Sequence, residues 1–162
     1  MKFKGICLLI LATIVLSSCN KQKVYFTQNY TFENGIWPRF EHVKFEVPIN
    51  PDNSYDMILE VNYDPNINYN VLPLHIITTT DDGEERIKEF QFRLKDAYEF
   101  RGEMQDNGTI TYSQVIRANF SVNQATKYNI DIECFYPKYE IPFINSLTLK
   151  LVKAPSSKVK KN

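Results

Sequence analysis

Three cysteines, two histidines and nineteen carboxylates are the side chains with which this chain of 162 residues could do covalent, acid–base or metal chemistry. His42 and His75 each lie in a strand-like pattern. Neither belongs to a paired metal-ligand spacing such as H-E-x-x-H, and neither is accompanied by a serine or lone thiol in a nucleophile elbow. Two carboxylates can hydrolyse a glycoside if they face each other across a cleft. Here most acids alternate with apolar residues, which places them on solvated strand faces. The acidic run Asp81-Asp82-Gly83-Glu84-Glu85 lacks the alternating ligands and later bidentate Glu of a calcium loop, so it reads as a solvated hairpin tip. The expectation is a protein that is not an enzyme, with no cofactor and no metal.

Cys19 is different. Lys2 and Lys4 precede an apolar run from Ile6 to Leu16, then the small residues Ser17 and Ser18, which is the layout of an export signal. The run is shorter than the about 20 apolar residues that a permanent spanning helix needs. Leu16-Ser17-Ser18-Cys19 resembles a lipobox, in which a thiol is acylated and the chain is then cut just before it. Residues 1–18 are therefore read as a signal helix, Cys19 as the lipidated first residue, and 19–23 as a short tether. Several alkyl chains on one residue, at about 0.8 kcal/mol per buried methylene, make stable membrane anchoring. Asn20 to Lys23 carry neither an Asp retention signal nor an acidic export cluster, which by analogy points to the periplasmic face of the outer membrane. With Cys7 in the signal and Cys19 alkylated, Cys134 has no partner for a disulfide and reads as a buried, inert thiol.

Without the signal the chain has a length typical of one domain. The formal net charge is zero, but residues 24–153 hold 12 basic and 19 acidic side chains, a net charge near −7. That excess argues against nucleic acid as a partner. Ala154 to Asn162, with Pro155, two serines and three lysines, reads as a disordered basic tail.

Period-two alternation recurs through residues 24–153: Val43, Phe45, Val47 and Ile49; Tyr55 to Tyr63; Leu72, Leu74 and Ile76; Phe90, Phe92 and Leu94; Tyr128 to Cys134; Leu147, Leu149 and Leu151. Turn residues fall between these runs, among them Asn50-Pro51-Asp52-Asn53 and the hairpin dipeptide Asn107-Gly108. The pattern predicts an all-β domain, an antiparallel β-sandwich of jelly-roll or immunoglobulin-like type. Its core is expected to include Val43, Phe45, Leu59, Val61, Leu74, Phe92, Ile130, Ile132 and Leu149.

Aromatics at predicted loops and strand ends supply the candidate binding surface: Trp37 and Phe40 of the Trp37-Pro38-Arg39-Phe40 segment, with Tyr98, Phe100 and Tyr139. Such side chains make protein hot spots or sugar-stacking platforms; the alternative is that they close the ends of the sandwich, with Trp37 packed under the first strand.

The order of these features is similar to the gliding-motility lipoprotein H family (GldH-like): a lipobox, Trp37 before a core strand with Phe45, the strand Tyr55 to Val61, Tyr69 with Leu72 to Leu74, then Leu94, Asp96 and Gly102, and finally Tyr128 to Ile132 with Pro142 and Ile144. Asn62 stands where the family tends to have Arg, Val71 replaces an Asn, and Asn145 and Ser146 replace two glycines. The resemblance implies a non-enzymatic accessory lipoprotein of an envelope assembly linked to gliding and secretion, with envelope proteins as partners and no active site to carry over. The other function class is a glycan-binding lipoprotein of a polysaccharide uptake system.

Overall fold

The computed structural model describes residues 22–155. The expected signal at 1–18, the expected lipidation residue Cys19 and the tail from Ser156 onward lie outside the described residues. Strands begin with β1 (Val24–Thr31), β2 (Ile36–Pro38), β3 (Val43–Ile49), β4 (Tyr55–Tyr63), β5 (Val71–Thr80) and β6 (Glu85–Arg93). The short β7 (Lys95–Asp96), β8 (Glu99–Phe100) and β9 (Glu103–Met104) follow, then β10 (Ile110–Phe120), β11 (Thr126–Cys134), β12 (Glu140–Pro142) and β13 (Ile144–Lys153). All pairings are antiparallel.

One sheet has the order β1-β13-β4-β10-β9 and the other β3-β11-β5-β6. Counting only the eight long strands in chain order, the sheets run first-eighth-third-sixth and second-seventh-fourth-fifth. That alternation between sheets is the jelly roll, and it decides between the two sandwich types that the sequence left open. The inner faces meet in a single core. Val43, Leu59, Val61, Leu74, Phe92, Ile132 and Leu149 are fully buried, and Phe45 and Ile130 nearly so. Edge-to-face packing of Phe92 on Tyr112 and stacking of Phe120 on Tyr128 join the two sheets directly.

β4 shows why the register is unique. Its odd residues Tyr55, Met57, Leu59, Val61 and Tyr63 are buried, and its even residues face out. A one-residue slip would expose all five. Among the long strands β6 exposes all of Glu85 to Glu89, and β1 and β10 carry no such signature either. β1 is an edge strand whose residues Thr27, Gln28 and Asn29 are exposed, and β10 is broken by register shifts after Val115 and after Arg117, which reset its alternation. Both follow from bulge and edge chemistry that period-two reading does not detect.

The acidic run and the Asn107-Gly108 dipeptide form hairpins of one kind. Gly83 N–H donates to Thr80 O and Thr80 N–H to Glu84 O, while Gly108 N–H donates to Gln105 O and Gln105 N–H to Thr109 O. In each case only the glycine takes positive φ, so Asn107 acts not through its own backbone but by accepting from Thr109 N–H and Oγ1–H. The acidic run is thus a hairpin tip, as expected. Ala154 is corrected out of the tail: it is buried and its N–H donates to Ser54 O at 2.9 Å.

Candidate interaction surface

The chain arrives at one pole of the sandwich. Gln22 Nε2 donates to Lys153 O at 2.6 Å, and Lys153 pairs with Tyr55 at the start of β4. At the other end of β4, Tyr63 pairs with Ile144 and its hydroxyl proton is shared between the carbonyls of Leu94 (2.7 Å) and Arg101 (2.6 Å). Eight steps of about 3.4 Å along the nine residues of β4 put these poles roughly 27 Å apart. Burial raises the Tyr63 hydroxyl to a pKa of about 12.

The loop aromatics gather toward the Tyr63 pole, on two mounts. The first is the ribbon of β2 and β12, in which Trp37 pairs with Ile141. Trp37 is 0 % exposed, stacks on Phe32 at 4.8 Å, and its Nε1–H donates to Glu41 O at 2.9 Å. The expectation that Trp37 belongs to a contact surface is therefore corrected: the core alternative holds, because the indole finds both an aromatic neighbour and a partner for its one polar atom. Phe40 and Tyr139 at the ribbon's tip are 74 % and 77 % exposed, with ring centroids 6.2 Å apart and planes tilted by 54°. Arg39 lies over Phe40, and its N–H donates to Tyr139 O.

The second mount is the β7–β8 hairpin. Tyr98, 93 % exposed, follows Ala97, whose φ of 49° makes the tight turn. Phe100 is half-buried against Tyr63, with Lys95 over its ring. Asp96 steadies the hairpin through Arg93 and Arg101. Gly102 then passes so close to β10 that a Cβ would lie 2.4 Å from Thr111 O, so no larger residue fits. Of the five expected surface residues, three are exposed, Phe100 is partly covered and Trp37 is interior.

Strand pairing also brings the two histidines to one outer face, which spacing along the chain does not reveal. His75 lies opposite Glu133 in the register; its Nδ1 is 3.1 Å from one Glu133 oxygen, and His42 Nε2 is 3.5 Å from the other. His42 Nδ1 is 2.9 Å from Asp131. Phe135 covers the His75 ring at 4.2 Å. Among the described residues no group of three or more His, Cys, Asp or Glu is placed to hold a metal ion. Cys134 is buried, and desolvation pushes its thiol up to about 12, far from the range of a working nucleophile. Among the described residues no helix is long and apolar enough to cross a membrane.

No curated protein matches the sequence. Among solved structures, CBM35 from Cellvibrio japonicus Abf62 is similar over 84 % of this chain and 94 % of its own, at 9 % identity and a TM-score of 0.33. A likeness that distant carries no functional weight. The family model described as GldH lipoprotein matches residues 24–151, from the first residue of β1 to within two residues of the end of β13. The chain belongs to the GldH lipoprotein family.

Proposed function

We propose that the protein is a non-enzymatic accessory component of an envelope assembly of the gliding-motility and secretion type, anchored through Cys19 to the periplasmic face of the outer membrane. In this reading the tether enters at the Lys153 pole of the domain, where Gln22 and Lys23 are hydrogen-bonded to the end of β13. The pole bearing Phe40 and Tyr139 reaches away from the tether to bind an envelope protein.

The observation that carries the proposal is the Phe40 and Tyr139 pair, two large aromatics left exposed on a ribbon whose base is locked by a buried tryptophan. Rigid, exposed aromatic area contributes to binding at small entropic cost. The 54° tilt between the rings suits a protein surface better than the flat face of a sugar, so the glycan-binding reading has less support. Co-purification from detergent-solubilised membranes tests this. The native protein is expected to bring down a discrete envelope protein, and the Phe40→Ser/Tyr139→Ser variant to lose it while keeping its melting temperature. A melting temperature raised by a polysaccharide, with no protein partner recovered, would favour the glycan reading instead.

A further inference from the structure

The two sides of the sandwich are closed unequally. Between the edge strands β1 and β3 the connecting chain and the β2/β12 ribbon fill the gap. Between β6 and β10 the β7–β8 hairpin covers only the Tyr63 pole, and further along a cavity of about 130 Å³ opens between the sheets. Its floor is Met57, Ile76 and Ile116, all buried, and its rim is Arg86, Lys88 and Arg117.

Those three cations occupy positions where a sandwich ordinarily places apolar side chains. Arg86 pairs with Thr78 and Lys88 with Ile76, on the same inward face as Phe90 and Phe92. Arg117 reaches the cleft from the opposite sheet, because the register shift after Val115 sets it opposite inward-facing Met57. Among the described residues Arg86 has one carboxylate partner, Glu84, whereas Lys88 and Arg117 have none within 4.0 Å. Lys88 lies over Phe90, and Arg117 over Phe120 and Tyr128 at 4.5 and 5.0 Å. Inward charges on an edge strand also discourage unwanted pairing. Arg86 and Lys88 alone serve that purpose on β6. Edge protection does not account for a third cation brought to the same apolar cleft from the other sheet, nor for the lack of carboxylates beside Lys88 and Arg117.

We propose that β6 is a docking edge for an extended acidic segment of a partner protein, with the cleft as its specificity pocket. The segment's main chain pairs with β6 and its alternate side chains turn inward: carboxylates against Arg86, Lys88 and Arg117, and an apolar residue toward Phe90. Main-chain pairing supplies affinity and alternate side-chain pockets supply selectivity. The proposal rests on reading the domain as a protein-binding module, but not on the aromatic pole.

Full-length protein in detergent micelles, panned against a random peptide display library, tests it. Selected peptides are expected to carry acidic residues at alternate positions without proline between them. A selected peptide should bind Arg86→Gln/Lys88→Gln protein at least about tenfold more weakly. Both side chains are exposed, so an unchanged melting temperature verifies the fold, and Phe40→Ser/Tyr139→Ser should leave this binding intact. Peptides without the acidic alternation, no selected peptide at all, or binding indifferent to Arg86→Gln/Lys88→Gln would overturn the proposal. Soluble glycerol phosphate that binds the native protein but not this variant, with no acidic peptide selected, would overturn it too and assign the cations to phosphate headgroups.

Discussion

The indole N–H of Trp37 donates to the carbonyl of Glu41 at 2.9 Å, closing the turn that carries Arg39 and Phe40. Trp37 is thus the mount of the exposed aromatics rather than one of them. Trp37→Ala removes a fully buried aromatic and is expected to cost about 3–5 kcal/mol. Phe40→Ser, at an exposed position, should stay within about 0.5 kcal/mol of the native protein. Chemical denaturation measures both, and a Trp37→Ala protein of native stability would contradict this role.

Asn145 Nδ2 donates to Asn62 Oδ1 at 3.0 Å, and Asn62 Nδ2 in turn donates to Thr109 and Thr111. Both asparagines stand where the family resemblance leads one to expect other residues, Arg and Gly, so the two departures meet in one network. A double-mutant cycle with Asn62→Ala and Asn145→Ala is expected to show coupling of about 0.5–3 kcal/mol. Strictly additive effects would mean the contact is incidental.

Alkaline pH should unfold the domain through groups that fold as neutral acids. Burial raises Cys134 from 9.0 to about 12, Tyr63 from 10.0 to about 12, and Tyr69 in the same direction. The unfolded chain releases these protons first, so the contribution of these groups is constant below about pH 8 and falls as pH rises through about 9 and beyond. Denaturation midpoints across that range check the sign, and a midpoint that rose from about pH 9 to about pH 11 would contradict it.

The regular strands are legible in the sequence because burial on one face imposes period two: every residue in the expected core list is interior. β1 and β10 are not, since an edge strand buries little and bulges reset alternation. Jelly-roll topology depends on pairings such as β1 with β13, which no local pattern encodes. Trp37 stands out by type but not by burial, because a tryptophan beside proline suits a loop tip and a ribbon base equally. The convergence of Arg86 and Lys88 with Arg117 emerges only once both sheets are in place.

Cys19→Ala should leave the protein unprocessed or released from membranes, read by detergent partitioning and mass. A variant still cleaved and membrane-bound would remove the basis for anchoring.

If the pole bearing Phe40 and Tyr139 contacts an envelope protein while the opposite pole is tethered, photo-crosslinking in cells reads that arrangement most directly. A photoreactive phenylalanine analogue is placed at Phe40, at Tyr139, or at Asp52, which is exposed at the tether pole. One discrete protein adduct is expected from Phe40 and Tyr139, and none of that mass from Asp52. No adduct from the aromatic pole, or the same adduct from all three positions, would contradict the proposed orientation and its contact.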